Sequence, residues 1–472
     1  MRGRQDTSGI TESINNASLG LFHYKTLLIS GMGFLTDAYD LFIISTVLSL
    51  LPLAGWSISV GQTALIGSIS LLSAVIGSSM FGVFLDKFGR KSVYGIELIL
   101  LIGGALGSAF ATPFNNVYIL AIWRFLLGLG IGGDYAASSV IMSEYSNTKN
   151  RGRLLGMVFS MQSIGLALGP LIALGLISSG LSAAIVWRLL LAIGAIPSAI
   201  VIYYRRKMPE TPKYAARVKG NIGQIAGKLK NYTGLKMVAR SRNSKLVKAN
   251  WKTLFTDRRL LLILLATAGT WFAMDWSFYG NTIMGGNIYK ALIPTGLSAI
   301  QGLILHTKYE ALIFGVGALP GYWLAAFTID RLGRKFIQML GFAMMAVLFF
   351  IIYAFPFLAA AQYIFDFIII YGLSYFFVEF GPNMTTFIYP PEVFPVSLRG
   401  LGSGLAAAGG KIGAFIGTAV DAFLFAQAGG IGKVMLISVI LSIIGLLLTI
   451  FILPETKQRD IEDTSQESRF QT

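Results

Sequence analysis

The chain predicts an all-α membrane protein with twelve transmembrane helices in two pseudo-symmetric six-helix bundles. Three observations carry that prediction. Of its 472 residues 54% are hydrophobic and only 13% charged, with a mean hydropathy of +0.68, too few polar groups to cover a water-facing surface. Apolar stretches close to the ~20 residues that cross a bilayer recur twelve times along the sequence. Finally, the halves repeat. Asp86-Lys-Phe-Gly-Arg-Lys91 returns as Asp330-Arg-Leu-Gly-Arg-Lys335, and Glu144 with Arg151 returns as Glu392 with Arg399 at the same spacing of seven.

Taken in order, the first bundle (1–204) holds predicted spans at 26–52, 62–84, 93–112, 116–141, 154–178 and 184–204. The first carries Asp37 and Asp40 at i, i+3 on one helical face. The fourth carries Arg124, Asp134 and Tyr135, and the fifth Gln162. A linker at 205–258 follows, and from Arg205 to Arg259 sixteen Lys or Arg stand against Glu210 and Asp257, nearly all of the net charge of +16. The second bundle (259–472) places spans at 259–283, 309–328, 336–356, 360–388, 400–426 and 432–453, followed by a short tail. Trp271, Asp275 and Tyr279 fall at i, i+4 and i+8 and so share one stripe of their helix. Lys411 is the only lysine near the middle of a predicted span.

The basic residues set the orientation. With the linker in the cytoplasm, Lys87, Arg90, Lys91, Lys149, Arg151, Arg153, Arg331, Arg334, Lys335 and Arg399 all fall in inside loops, and both termini are cytoplasmic. The linker is expected to attract the anionic lipids of the inner leaflet rather than nucleic acid. Arg2, Arg4, Asp6 and Glu12 precede any apolar run, so the N-terminal segment does not read as a cleavable signal peptide. Without cysteine there are no disulfides and no thiolate metal sites. His23 and His306 fall at predicted membrane edges, where solvated side chains are expected. No metal or other cofactor is expected. Gly128-Leu-Gly-Ile-Gly-Gly133 and Gly409-Gly-Lys411 imitate nucleotide-binding loops but follow no soluble strand, and small residues on a membrane helix mean close packing. No Ser and His stand in hydrolase arrangement, so the chain is not expected to be an enzyme.

Charge inside a span costs about 2.5–3.5 kcal/mol per residue on insertion scales, which makes intramembrane carboxylates candidates for a substrate or proton pathway. Two sets of charges at the inner membrane face are expected to pair and hold the bundles together as a cytoplasmic gate: Asp86, Arg90, Glu144 and Arg151, and Asp330, Arg334, Glu392 and Arg399.

The paired Asp-x2-Gly-Arg-Lys loops, Arg124-Phe-Leu-Leu-Gly-Leu-Gly-Ile-Gly-Gly133, Pro209-Glu-Thr-Pro-Lys213 and Pro454-Glu-Thr456 resemble the major facilitator superfamily, in the branch near the sugar porters. More narrowly, Gly33 to Phe42, Gly132-Gly-Asp-Tyr135, Met142-Ser-Glu-Tyr145, Met161-Gln162, Trp271 to Tyr279, Gly381-Pro-Asn383 and Gly410-Lys-Ile-Gly413 resemble the phosphate:proton symporter family. The sequence departs from that family in Ala-Ala-Ser-Ser after Tyr135 and in Trp276 after the acid. The resemblance implies a plasma-membrane symporter that imports inorganic phosphate with protons by alternating access. It further implies a phosphate site of Tyr135, Gln162, Trp271, Asp275, Tyr279, Asn383 and Lys411.

The residue chemistry fits such a site. Tyr, Trp, Gln and Asn supply donors and Lys411 the compensating charge. A neutral Asp275 can donate a hydrogen bond where a carboxylate would repel the anion, which links proton to substrate. Asp37, Asp40 and Asp134 form the expected proton relay, with structural pairing to Arg124 the alternative for any one of them, Asp134 foremost. Glu379, Asp366 and Asp421 receive no role. Two other readings stay open. One is a proton symporter of another small anion or a sugar, although a sugar site needs no buried lysine; the other is a phosphate-binding nutrient sensor with little flux. The protein is expected to be a monomer.

Overall fold

A computed structural model of the protein describes residues 13–110, 116–219, 222–235, 247, 249–294 and 296–470. Residues 1–12, with Arg2, Arg4, Asp6 and Glu12, and most of the basic stretch 236–248 lie outside the described residues. Among those described, twelve helices are long and apolar enough to cross a membrane. They are α1 (Leu21–Leu50), α2 (Val60–Phe88), α3 (Arg90–Phe110), α4 (Val117–Tyr145), α5 (Arg151–Ser178), α6 (Ala183–Tyr214), α7 (Arg258–Ile283), α8 (Ala299–Leu332), α9 (Arg334–Ala354), α10 (Ala361–Val393), α11 (Arg399–Phe425) and α12 (Gly430–Phe451).

Local chemistry starts and stops these helices in matched ways. At the start of α2, Ser59 and Gln62 form a reciprocal capping box at 3.2 and 2.9 Å; Ser298 and Gln301 do the same for α8 at 3.3 and 2.9 Å. Each Asp-x2-Gly-Arg-Lys loop turns at its glycine. Gly89 and Gly333 both stand at φ +97°, a backbone that side-chain-bearing residues rarely adopt, and each joins two consecutive spans in a single residue.

Packing follows the repeat. Across the divide between halves, α2 lies on α11 and α5 lies on α8. The backbones come close because the contacts are small residues: Gly82 meets Gly400 and Gly404, and Gly156 meets Ala326. The glycines of the dinucleotide lookalike serve the same purpose, Gly128 against Ser70 and Gly132 against Ala74 on α2. Large apolar side chains such as Ile122, Val316, Phe365 and Phe451 face outward, as a lipid-facing surface requires.

Several boundaries differ from the sequence expectation. The first helix begins at Leu21 and the eighth at Ala299, because His23 and Lys25, or His306, Lys308 and Glu310, lower the hydropathy of turns that are nonetheless helical. The sixth helix continues through Lys207, so the boundary placed at 204/205 falls inside it and Arg205 is a buried helical residue. Both histidines are buried rather than solvated. His23 accepts from the Gly20 amide at 3.2 Å, and His306 packs against Tyr289 at 4.9 Å.

Candidate functional site

At one end of the bundles the charged repeat closes on itself. Arg90 bridges Asp86 at 3.1 Å and Glu144 at 2.9 Å, and Glu144 reaches Arg399 of the other half at 3.1 Å. In mirror fashion Arg334 bridges Asp330 and Glu392, both at 2.8 Å, and Glu392 reaches Arg151 at 2.7 Å. Each aspartate also caps a helix of the opposite half. Asp86 accepts from the Gly400 and Leu401 amides at 3.0 and 2.7 Å, and Asp330 from those of Gly152 and Arg153 at 3.1 and 2.8 Å. All eight predicted gate residues are therefore joined, by links that cross between halves.

The Pro-Glu-Thr motifs complete this end. Glu210 accepts from the Arg90 amide and Glu455 from the Arg334 amide, each at 3.1 Å. Thr211 donates to Glu144, and Thr456 to Glu392. In the sequence these motifs carry a family resemblance, and their recurrence at an offset of 245 is the signal for paired structural roles. Glu467, not anticipated, holds Arg399 at 2.9 Å.

Midway along the helices the candidate binding residues form one belt of hydrogen bonds. Lys411 donates to Asp275 at 3.0 Å and to Tyr279 at 2.8 Å, and its ammonium lies 4.2 Å from the ring centres of both Tyr135 and Tyr279. The Tyr279 and Tyr135 hydroxyls are 3.2 Å apart. Gln162 donates to Tyr135 at 2.5 Å and accepts from Tyr322 at 2.8 Å, and Asn383 donates to Tyr322 at 2.7 Å. The belt crosses between halves twice, at Tyr135–Tyr279 and Gln162–Tyr322. Every predicted binding residue is at most 3% exposed, and the Trp271 stripe points inward. The Trp271 indole Nε1 and Asp275 Oδ1 are buried without a hydrogen-bond partner.

Two aromatic layers bracket this belt. Toward the charged end, Phe34, Phe159 and Phe387 pack together, the last two stacked at 4.4 Å. Toward the other end, Phe42 of the first half packs on Phe278 and Tyr279 of the second at 5.2 and 5.1 Å. Tyr322 and these phenylalanines went unassigned because an aromatic residue in an apolar run has no signature of its own.

The relay candidates divide. Asp134 pairs with Arg205 through contacts of 2.7 and 3.0 Å, and Arg205 also holds Glu97 at 2.8 Å, so the partner is not Arg124. Arg124 instead donates to the Asp40 carbonyl at 2.9 Å and to Ser70 at 3.1 Å. Both carboxylate oxygens of Asp37 and Oδ2 of Asp40 are buried without a partner. Asp37 is within electrostatic reach of both the Asp134–Arg205 pair and Lys411.

This arrangement suits an anion exchanging places with a carboxylate. One buried cation is ringed by hydroxyl, amide and indole donors from both halves, with unpartnered acids beside it.

Known proteins resemble this chain along nearly its whole length. The family described as "Sugar (and other) transporter" matches residues 21–467. Inorganic phosphate transporter 1-6 of Oryza sativa subsp. japonica is 35% identical over 99% of this chain and 97% of its own length. Low affinity inorganic phosphate transporter 1 of Petunia hybrida is 34% identical, covering 97% and 95%. Among solved structures, the proton:xylose symporter XylE bound to 6-bromo-6-deoxy-D-glucose superposes with a TM-score of 0.75 at 19% identity, over 95% of this chain and 99% of that one. The inward-open form of XylE from E. coli gives 0.63 at 18% identity, over 94% and 99%. With twelve candidate spans among the described residues and relatives alike along nearly their whole length, the chain belongs to the sugar (and other) transporter family, alongside the inorganic phosphate transporters, and shares the fold of the XylE symporter.

Proposed function

We propose that the protein imports inorganic phosphate together with protons by alternating access, the two bundles rocking about the central belt. The observation that carries this reading is Lys411: a buried ammonium whose one charged partner is Asp275 and whose other neighbours are hydroxyl donors from both halves. A tetrahedral oxyanion entering here takes the ammonium, hydrogen-bonds Tyr135, Tyr279, Gln162, Asn383 and the free Trp271 N–H, and displaces Asp275. The displaced carboxylate then faces an anion in a dry site, and binding a proton removes that repulsion. Substrate and proton are thereby coupled at one ammonium.

Asp37, Asp40 and Asp134 carry the proton on the first-half side in this reading, Asp37 lying within electrostatic reach of both the Arg205 pair and Lys411. The charged network forms the cytoplasmic gate, its ion pairs across the halves being those of a closed state, and the linker and both termini face the cytoplasm of a cell's plasma membrane. Basic residues of the linker meet anionic inner-leaflet lipids. The protein works as a monomer and as a carrier, with no enzymatic step. The names of its relatives support phosphate as the substrate.

The test is uptake of labelled phosphate into proteoliposomes with and without an imposed pH gradient. Gradient-driven accumulation is expected. Phosphate exchange without any response to the gradient would remove the proton from the mechanism, and no phosphate movement would remove the substrate.

A further inference from the structure

The belt does not end at Asn383. Its amide also donates to Glu379 Oε2 at 2.5 Å, so a continuous hydrogen-bonded path runs from Glu379 through Asn383, Tyr322, Gln162, Tyr135, Tyr279 and Lys411 to Asp275. A carboxyl stands at each end. The Asp275 end is neutralised by Lys411, and the Glu379 end has no such partner.

Glu379 is fully buried at an interruption of α10, where Gly381 leaves helical geometry and Pro382 follows. The groups that face it are all neutral or acidic. Tyr322 comes from α8, where Gly321 also lies against its Cβ; Asp275 comes from α7, and Tyr375 and Asn383 from α10 itself. From α9 the neighbour of this turn is Gly341. No Lys, Arg or His is among them, and Glu379 Oε1 is buried without a hydrogen-bond partner. An unpaired carboxylate in a membrane interior is disfavoured unless it binds a proton, and an anion arriving on the same belt adds like-charge repulsion.

We infer that Glu379 is a second proton-carrying carboxyl of this site, protonated at Oε1 and linked to the bound anion through Asn383 and Tyr322. The inference rests on the proton-coupled phosphate reading. The O–H bond forms with a proton from the water the site meets when open to the outside, and breaks to water when the cytoplasmic gate opens. Phosphate then travels with at least two protons, one for each end of the belt.

Proton count sets how far phosphate can be concentrated. With the membrane potential clamped at zero, each coupled proton multiplies the limiting ratio of internal to external transported species by about ten per pH unit. Wild type and Glu379→Gln, both purified, reconstituted and shown folded by thermal unfolding, are compared at a difference of one pH unit. The variant is expected to accumulate about tenfold less than wild type while still concentrating phosphate. An unchanged ratio overturns the inference, and so does collapse to unity, since Asp275 would then carry no proton of its own. Should the variant not fold, the wild-type ratio decides: about a hundredfold supports two protons, and about tenfold leaves room for one and overturns the inference. A wild-type ratio of one despite exchange fails at the earlier step, the proton coupling itself.

Discussion

The charged end and the central belt are built by opposite rules. At the charged end each half contributes the same parts: Asp86 matches Asp330, Arg90 Arg334, Glu144 Glu392, Arg151 Arg399, Glu210 Glu455 and Thr211 Thr456, in corresponding bonds. At the belt the halves contribute different chemistry. The second half brings the cation, its partner acid and Asn383; the first brings Tyr135, Gln162 and the unpartnered Asp37. The proposed function gives this difference a reason. A gate between two similar bundles can be two-fold symmetric, whereas a site that binds one anion and moves protons relative to it needs a different task from each half.

The symmetry can be broken most strongly at a gate glutamate. Glu392→Gln keeps the size but removes the charge that Arg151 and Arg334 share, and losing one partner of a buried pair costs about 3–5 kcal/mol. The closed gate should weaken by two orders of magnitude or more, read as faster labelling of a cysteine placed behind it by a thiol reagent applied from the gate side. Glu144→Gln should give the same change within a few-fold; a tenfold difference between the two would end the symmetric account.

At the belt the comparable change is Lys411→Ala. A unit pair at ~4 Å in an effective dielectric near 20 is worth roughly 4 kcal/mol before desolvation. Allowing for that desolvation, phosphate affinity should fall by roughly two to three orders of magnitude in a folded, extractable protein. Near-normal binding would remove Lys411 from the site. No symmetric counterpart exists to share its role, so no first-half substitution is expected to match it.

A smaller change in affinity, but a sharper one in coupling, is expected from Asp275→Asn. Its amide cannot take a proton and no longer competes as an anion for Lys411. Phosphate binding should persist, its steep dependence on pH should flatten, and uphill uptake should weaken while exchange continues. Affinity measured against pH in the two proteins decides; superimposable profiles would pass the coupling role to Asp37 and Asp40.

The same contrast explains what was legible in the sequence. The charged network could be read because duplication writes it twice, and the spacing of Glu144 to Arg151 recurs unchanged at Glu392 to Arg399. The belt could be read only where a residue is costly in a membrane, as Lys411 and Asp275 are, or where it sits in a recognisable motif, as Gln162 and Asn383 do. Tyr322 is one tyrosine among many, and only packing shows that it joins those two amides. Arg205 stood in front of Arg206 and Lys207 and looked like the start of the linker. Its burial against Asp134 depends on a sixth helix that runs on through Lys207, past the end that hydropathy suggests. Glu379 is visible as a charge in an apolar run, but its proposed role rests on partners that sequence alone does not name.

The smallest test probes the symmetry where charge is not removed. Thr211 and Thr456 each donate one hydroxyl to a gate glutamate that already has two arginines. Thr→Val keeps the shape and deletes only that hydrogen bond, worth about 1.5–3 kcal/mol when the acceptor is charged and at the lower end here because each acceptor keeps its ionic partners. Thr211→Val and Thr456→Val should therefore each shift the closed-to-open ratio by roughly tenfold, well short of the glutamate variants. The double variant should combine them nearly multiplicatively, because the two hydroxyls serve different carboxylates and share no partner. The measurement is again cysteine labelling behind the gate. Equal single effects and a multiplicative double would show two independent copies of one device, whereas a double no worse than either single would show one network that opens when either half is cut.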